Sequence, residues 1–453
     1  MTKHLLTFAF LLFSMGLNAQ MTFNFSTSGV KTSTDADGVT RVTAPSGTDL
    51  AGLITGVKVD GTTVTASQVS PNPTTTKIYA DRLEVFTYNN KAYAFRFDTD
   101  DYFTAVFISD THTAQSGHDG TSTQALTSIS QNIVAMGQDG TQKVKFDAKP
   151  NYVPKADIVF CLGDCDADKD DHTNFLAATQ KVIMTDGGIP FVFIAGNHDL
   201  SPDYWTGSNP DKGATGGSSG GIAADKDTWS DISTNLSNVT ELGVLDSDGA
   251  IEYFSNSDAN FECKPFTFKF KGVRFYCAHT YWFQKPYTYS SIFGIPSSFG
   301  KYLPPDAVIT ALNTFVESHT TEPSVWMQHY PFVAGSDCNR WWLDQNDYGL
   351  YIPASGTSDY GCCDSNIPQN DNTYALKKKN PLVDIMAKTK NAVHFSGHVH
   401  TYAVNTFTNT LGTGSSIVDY TVSANGNTSQ SNNAYVVLMK RGVGVVEVKQ
   451  AQF

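Results

Sequence analysis

Five short apolar runs along the chain each end in residues that commonly bind metal ions, and this pattern restricts the possible fold more than any other feature. The runs are "FTAVFI", "DIVFCL", "PFVFIA", "SVWMQ" and "AVHFS". Each has the length and the β-branched or aromatic content of a buried strand. The sequence therefore predicts a core of buried strands whose ends carry the functional groups.

Helical segments alternate with these strands. Leu126, Ile129, Ile133 and Met136 share one face of a predicted helix, and "PDAVITALNTFVES" has the same spacing of apolar residues. This alternation predicts an α/β core with a largely parallel sheet. In such a sheet, ligand sites form beyond the carboxyl ends of the strands.

The residues that follow the five strands are the candidate functional groups. They are Asp110, His112, Asp164, Asn197, His198, His329, His398 and His400. Neutral imidazoles and carboxylates suit first-row transition metals, and one carboxylate can bridge two ions. Five strand ends are thus predicted to meet at one metal site.

In their order along the chain, "DTH", "GDCDAD", "GNHD", "QHYP" and "GHVH" resemble the motifs of the calcineurin-like metallophosphoesterase family. The resemblance covers roughly residues 100 to 405. It implies a two-layer β sandwich flanked by helices and holding two metal ions. The implied function is a phosphoesterase in which a hydroxide that bridges the two ions attacks the phosphate ester.

Matching the motifs residue by residue implies two sets of ligands that share Asp164. One ion would be held by Asp110, His112, Asp164 and His400, and the other by Asp164, Asn197, His329 and His398. His198 would not bind metal. It is predicted to act as a general acid toward the leaving oxygen, with Asp199 orienting its imidazole.

The second half of the chain, with "MQHYPF" and "GHVHTY", is similar to purple acid phosphatases, a secreted branch of the family. The first half departs from that branch, which has DxG where this chain has Asp110-Thr111-His112. That branch also has a tyrosine in GDxxY, and Ala167 stands at its position. The prediction is therefore two divalent or mixed-valence ions of Mn, Fe or Zn, with the identity open.

Other histidines compete for these roles. His279 also ends an apolar run, but it precedes the helix that family members place ahead of their ligand histidine, so His329 is preferred. His394 is interpreted as a core histidine. His118, His172 and His319 are interpreted as surface or loop groups.

The chain has seven cysteines, too few and of the wrong parity for a disulfide scaffold. Cys161 is predicted to be a core thiol and Cys165 to be structural. A disulfide is expected between Cys338 and either Cys362 or Cys363, because these three lie in one irregular segment. The sequence leaves the pairing open.

The N-terminal part of the chain predicts both export and a separate domain. Lys3, the apolar run from Leu5 to Phe13 and the small Ala19 form a secretory signal, so residues 1–19 are expected to be removed. The mature protein would be secreted or periplasmic, without a membrane span.

Residues 20–97, which are rich in Thr and Ser, predict a small β domain. Residues 98–453 are predicted to form the phosphoesterase domain, with insertions near 206–221 and 333–373.

The formal net charge of −13 and the lack of a basic stripe argue against a nucleic-acid partner. A small phosphorylated substrate is expected, with a phosphate monoester slightly favoured. The alternatives are a phosphodiesterase acting on a cyclic nucleotide or a lipid headgroup, or a non-catalytic secreted binding protein on a phosphoesterase scaffold. The oligomeric state stays open.

Overall fold

The computed structural model describes most of the chain. The described residues are 20–34, 38–45, 48–79, 83–99, 101–113, 122–137, 144–150, 152–165, 172–196, 199, 219–254, 264–277, 286–290, 296–300, 306–329, 331, 381–397, 400, 402–408, 414–424 and 433–453. Within them the chain forms two compact units. One runs to Phe103 and includes Met136–Pro154, and the other consists of Thr104–Ala135 and Lys155–Phe453.

The first unit is built from strands around an aromatic core. Its strands are β1 (Met21–Phe25), β2 (Lys31–Thr34), β3 (Thr40–Ala44), β4 (Ile54–Val59), β5 (Thr62–Val64), β6 (Leu83–Tyr88) and β7 (Lys91–Thr99), with a 3₁₀ turn at Ala66–Gln68. They form a three-stranded sheet in the order β1-β4-β5 and a four-stranded sheet in the order β2-β3-β7-β6. Alternate side chains of each sheet point into one shared core that includes Phe23, Val57 and Phe95. The predicted small β region is therefore confirmed, while its division from the rest at residue 97 stays a prediction.

The strands that follow lie in the second unit, apart from Tyr102 and Phe103, which begin the first of these strands and belong to the first unit. They are β8 (Tyr102–Ile108), β9 (Ile158–Cys161), β10 (Phe191–Phe193), β11 (Glu252–Tyr253), β12 (Phe266–Phe270), β13 (Val273–Cys277), β14 (Pro286–Ser290), β15 (Pro296–Gly300), β16 (Pro323–Met327), β17 (Lys390–Ser396), β18 (Ala403–Thr408), β19 (Ser416–Thr421), β20 (Asn433–Lys440) and β21 (Gly444–Gln452). All five apolar runs of the sequence are strands, as predicted.

These strands form two large sheets. One has the order β10-β9-β8-β20-β21, with β8, β9 and β10 parallel. The other has the order β11-β12-β13-β16-β17-β19-β18, with β13, β16, β17 and β19 parallel. Antiparallel pairs occupy both edges of the seven-stranded sheet and the β21 edge of the five-stranded sheet, whereas β10 at its other edge is parallel to β9. Strands β14 and β15 form a separate antiparallel pair. Because the parallel strands of a sheet run in the same direction, their carboxyl ends lie at one edge.

The two large sheets pack face to face through aromatic side chains. The rings of Phe107 on β8 and Phe395 on β17 stack with centroids 4.1 Å apart. Phe160 on β9 and Phe275 on β13 stack at 5.0 Å. The predicted two-layer β sandwich is confirmed.

Helices cover the outer faces of the sandwich. They are α1 (Thr123–Val134), α2 (Thr173–Ala178), α3 (Ser219–Glu241), α4 (Asp306–Glu317) and α5 (Pro381–Met386), with a π-helical turn at Lys181–Asp186. The apolar face of α1 is buried as predicted, and α4 and α5 pack with Tyr276 and Trp326 of the seven-stranded sheet. No described helix combines the length and apolar character that a membrane crossing needs.

Candidate metal centre

The candidate site lies where the parallel strands of both sheets end. The segments that follow β8 and β9 stay paired through their backbones. Asp110 N donates to Gly163 O at 3.0 Å, and His112 N donates to Asp164 O at 2.9 Å. Beyond β16 and β17, Gly397 N donates to His329 O at 2.8 Å. Backbone pairing therefore continues past the strands and fixes the loops that carry the polar side chains.

Five of the predicted site residues come together at this edge. His329 Nε2 lies 3.0 Å from Asp164 Oδ2 and 3.9 Å from Asp110 Oδ1. His400 Nε2 lies 3.4 Å from Asp110 Oδ1 and 3.3 Å from His112 Nε2. His112 Nε2 is 3.8 Å from Asp164 Oδ2. The ligand atoms form two overlapping groups, Asp110 with His112 and His400, and Asp110 with Asp164 and His329.

Both carboxylates are close to histidines of both predicted ligand sets. Asp164 Oδ2 approaches His329 and His112, one histidine from each predicted ligand set. Asp110 is the member common to the two groups above. Asn197, His198 and His398, the other predicted site residues, lie outside the described residues.

The site is buried except at one side. Asp110 and His329 are fully buried, while the side chain of His400 is 36% exposed, so His400 marks the side that solvent reaches. Burial by itself raises the pKa of Asp110, but His329 and His400 outweigh it and lower the pKa to about 2. Burial lowers the pKa of His329, but Asp164 and Asp110 raise it to about 9. Opposite charges therefore hold the side chains together inside the protein.

Four of these residues adopt a backbone conformation that side chains rarely take. The φ angles are 52° at Asp110, 41° at His112, 51° at Asp164 and 57° at His400. The left-handed region costs roughly 1–2 kcal/mol for a residue with a side chain, although Asp and His tolerate it better than most. Strain that recurs at four neighbouring side chains indicates a site whose geometry serves function.

The glycines of the motifs allow the loops to approach. Gly163 has φ 98°, and a methyl group there would lie 2.8 Å from His329 Nδ1. A methyl group on Gly196 would overlap the carboxylate of Asp164, and one on Gly397 would lie 2.6 Å from Asp110 Oδ2. A side chain at any of these positions would displace a candidate ligand.

Hydrogen bonds behind the site orient the imidazole of His329 and hold the backbone around His400. His329 Nδ1 lies 2.8 Å from Leu162 O, so Nδ1 carries the donating proton and Nε2 faces the carboxylates. Ser423 Oγ donates to His400 O at 2.8 Å, and the hydroxyl of Tyr402 donates to Ala434 O at 2.9 Å. Imidazole nitrogens and carboxylate oxygens at these separations fit first-row transition metals.

The interpretation of His172 as a surface or loop group is wrong. His172 begins α2, as the sequence indicates, but it is fully buried, with Nε2 3.2 Å from Asp199 Oδ1 and Nδ1 2.9 Å from Asp231 Oδ2. Both partners are distant along the chain. The one local signal was an apolar helix that starts directly after His172 and has to pack.

Asp199 connects two of the loops. Its Oδ1 accepts from Cys165 N at 3.0 Å and its Oδ2 from Gly196 N at 2.6 Å. The sequence prediction that Asp199 orients His198 stays a prediction.

The remaining sequence interpretations divide between described and undescribed residues. His394 is a buried core histidine, as predicted, with Nδ1 2.8 Å from Asp419 Oδ1. Cys161 and Cys165 are buried, as expected, and their sulfurs are 3.7 Å apart. His279, Cys338, Cys362 and Cys363 lie outside the described residues.

Comparison with known proteins gives a family match. A sequence model of the calcineurin-like phosphoesterase family matches residues 103–402. No curated protein sequence matches the chain. Among solved structures, the chain is similar to GAP50, the anchor in the inner membrane complex of Plasmodium, with 11% identity, 78% of this chain and 89% of that chain covered, and a TM-score of 0.31. The family match spans every strand end that carries a candidate ligand.

Proposed function

Because the chain belongs to the calcineurin-like phosphoesterase family, we propose that it hydrolyses phosphate esters at a centre of two metal ions. One observation carries this proposal. Two carboxylates and three imidazoles from four strand ends converge, with His329 Nε2 3.0 Å from Asp164 Oδ2. All five are buried or half-buried, which favours a built site over a solvated cluster.

The proposed ligands follow the motifs. One ion is assigned to Asp110, His112, Asp164 and His400, and the other to Asp164, Asn197, His329 and His398. The donor set of imidazoles and carboxylates supports Mn, Fe or Zn. When bound, two such ions polarise phosphoryl oxygens and lower the pKa of water toward neutrality.

Residues of the chain balance the charge of the ions, orient the ligands and supply a proton to the substrate. Asp110 and Asp164 supply the negative charge that balances the ions. The Leu162 carbonyl holds the His329 proton on Nδ1, which directs Nε2 into the site. The half-exposed His400 lies on the side from which a phosphorylated substrate enters.

His198 is proposed to donate the proton that the leaving oxygen needs. An alkoxide requires this proton, whereas p-nitrophenolate leaves almost unaided. In His198→Ala, hydrolysis of an alkyl phosphate should therefore fall by about 10²–10⁴-fold, and hydrolysis of p-nitrophenyl phosphate by much less. Metal content should remain at the wild-type value. Loss of metal, or equal slowing of both substrates, would assign His198 another role.

Substrate class is tested by direct comparison. The purified protein, stripped of metal and reloaded with Mn²⁺, Fe²⁺ or Zn²⁺, is assayed on p-nitrophenyl phosphate and on bis(p-nitrophenyl) phosphate. We propose a phosphomonoesterase, so kcat/KM should be higher for the monoester. Preference for the diester would make the protein a phosphodiesterase. Hydrolysis of neither substrate under any metal would contradict the proposed function.

Export is also proposed, from the composition of the first 19 residues. Expression of the whole chain in a secreting bacterial host should place the protein in the periplasm or the medium. Its N-terminal residue should be Gln20. A cytoplasmic protein that retains Met1 would contradict this proposal.

A further inference from the structure

A buried histidine outside the ligand set connects the metal-site loops to a helix. His172 is fully buried and lies between Asp199 and Asp231, with its ring nitrogens 3.2 Å and 2.9 Å from their carboxylate oxygens. The rings of Phe175 and Phe193 lie 6.3 Å and 5.6 Å from the imidazole. The rings cover the imidazole, and the Asp199 carboxylate is fully buried, whereas the Asp231 side chain is 34% exposed.

The geometry of this contact specifies the charge of His172. An ionised carboxylate only accepts hydrogen bonds, so each ring nitrogen has to donate, and the imidazole carries both protons. Burial lowers the pKa of His172, but Asp199 and Asp231 outweigh it and raise the pKa to about 10. An imidazolium therefore neutralises part of the charge of two carboxylates at physiological pH.

The carboxylate of Asp199 reaches both loops at once. It accepts from Cys165 N, the residue after Asp164, and from Gly196 N, the residue before Asn197. Its backbone is held in turn, because Thr228 Oγ1 on α3 donates to Asp199 O at 2.6 Å. Asp231 lies one turn further along α3, on the same face as Thr228.

We propose that His172 is a positioning residue of the metal centre, which holds the Asp199 carboxylate so that it sets the spacing between the Asp164 and Asn197 loops. This inference rests on the proposed function, since Asp164 and Asn197 are the ligands that it spaces. Without His172, the buried Asp199 carboxylate would lose the charged donor at Oδ1, and it would turn, take a proton or admit water.

Loss of His172 should affect the binding of the two metal ions differently. The ion assigned to Asn197 and His329 depends on the spacing of the two loops, whereas the ion assigned to Asp110, His112 and His400 depends on it only through Asp164. Loss of His172 should therefore weaken one metal-binding step more than the other. A general loss of stability would weaken both.

The test measures binding of Mn²⁺ to the metal-stripped full chain. Wild type should bind two ions per chain. In His172→Leu, the Kd of one step should rise by about 10–100-fold, and the Kd of the other by much less. His172→Gln, which keeps an amide donor, should give an intermediate value. Asp231→Asn, which keeps an acceptor for Nδ1–H, should stay close to wild type.

His394→Leu is the matched control, because it also removes a buried imidazole that pairs with a buried aspartate. It should lower the melting temperature without a selective change in either Kd. The imidazolium itself has a separate readout. In ¹⁵N-histidine-labelled wild type without metal, one imidazole should show both of its ring N–H signals, and this pair should be missing in His172→Leu.

Three results would overturn the positioning role. They are unchanged binding of both ions by a folded His172→Leu, equal weakening of both steps, or a wild-type spectrum without the paired ring N–H signals. If His172→Leu does not fold, unchanged binding by His172→Gln has the same meaning. A wild-type chain that binds no Mn²⁺ would instead contradict the proposed function, so the two failures are distinguishable.

Discussion

The two compact units bury different kinds of side chain. In the first, the core is apolar, with Phe23, Phe86, Phe95 and Phe97 in ring contact at centroid distances of 4.6–6.0 Å. In the second, a core of similar aromatic content also encloses carboxylates and imidazoles. Among the described residues, every buried polar or charged side chain lies at or beyond Thr104.

This difference indicates that the apolar core serves stability and that the buried polar groups of the second unit serve function. Burying a charge costs free energy unless the charge is paired, so a chain selected only for stability has no reason to enclose Asp110, Asp164 and His329 together. The first unit shows that this chain builds a core without them. The polar core of the second unit is therefore best explained by what it binds.

The largest effect should come from the proposed shared ligand. Asp164→Asn removes a negative charge next to both ions, and turnover should fall on the order of 10³-fold or more. The matched control in the first unit is Asp60→Asn, whose exposed carboxylate accepts from Gln20 N at 2.8 Å. Rates of p-nitrophenyl phosphate hydrolysis compare the two. Similar rates for both variants would remove the functional difference between the units.

The apolar core should show the opposite behaviour. Phe95→Ala deletes a ring that contacts Phe23, Phe86 and Phe97, and it should destabilise the first unit by about 3–5 kcal/mol. Denaturant unfolding measures this loss. The turnover number per folded, metal-loaded chain should stay at the wild-type value. A large fall in that number would show that the first unit takes part in catalysis.

Replacing one glycine in each unit with alanine should have smaller effects and tests the same difference between the units. In Gly196→Ala the new methyl group would lie 2.9 Å from Asp164 Cγ, and displacing that carboxylate should slow turnover by about 10²-fold. Gly52 in the first unit has φ 77° and no atom within 4 Å of an added methyl group, so Gly52→Ala should cost only about 1 kcal/mol of stability. Metal titration and thermal unfolding of both variants give the result. Wild-type metal affinity in Gly196→Ala would contradict the close approach.

The last prediction is a pH dependence of stability in the second unit. The folded-state pKa of His172 is about 10, above its unfolded value, so its stabilisation is complete below pH 6.5 and is lost as the pH rises toward 10. The groups that face it are Asp199 and Asp231, with the Cys165 thiol beyond Asp199. The stability difference between wild type and His172→Gln should shrink by about 1.4 kcal/mol per pH unit in that range. Urea unfolding at several pH values measures it, and a difference that does not change with pH would mean that His172 is neutral.

The sequence could predict the strands and most of the candidate site because both depend on local pattern. An apolar run of strand length identifies β8, β9, β16 and β17, and the next polar residues identify Asp110, Asp164 and His329. The parallel order of the strands within each sheet then places these residues at the edge of that sheet. Their convergence depends in addition on the face-to-face packing of the two sheets.

The support behind the site could not be predicted in the same way. His172 is 27 residues from Asp199 and 59 from Asp231, and its burial depends on how α3 packs against β10. The left-handed backbone at Asp110, His112, Asp164 and His400 likewise lies in the loops after β8, β9 and β17, whose course depends on how these strands pair with distant parts of the chain. Tertiary contacts set these features, and the local pattern gives only one indirect signal, the apolar helix that follows His172.

The most direct test of the account is the number of metal ions needed for catalysis. The metal-stripped chain is titrated with Mn²⁺ while the initial rate of p-nitrophenyl phosphate hydrolysis is recorded. The account predicts that the rate rises from near zero and saturates at two ions per chain. Saturation at one ion, or no hydrolysis at any ratio, would contradict it.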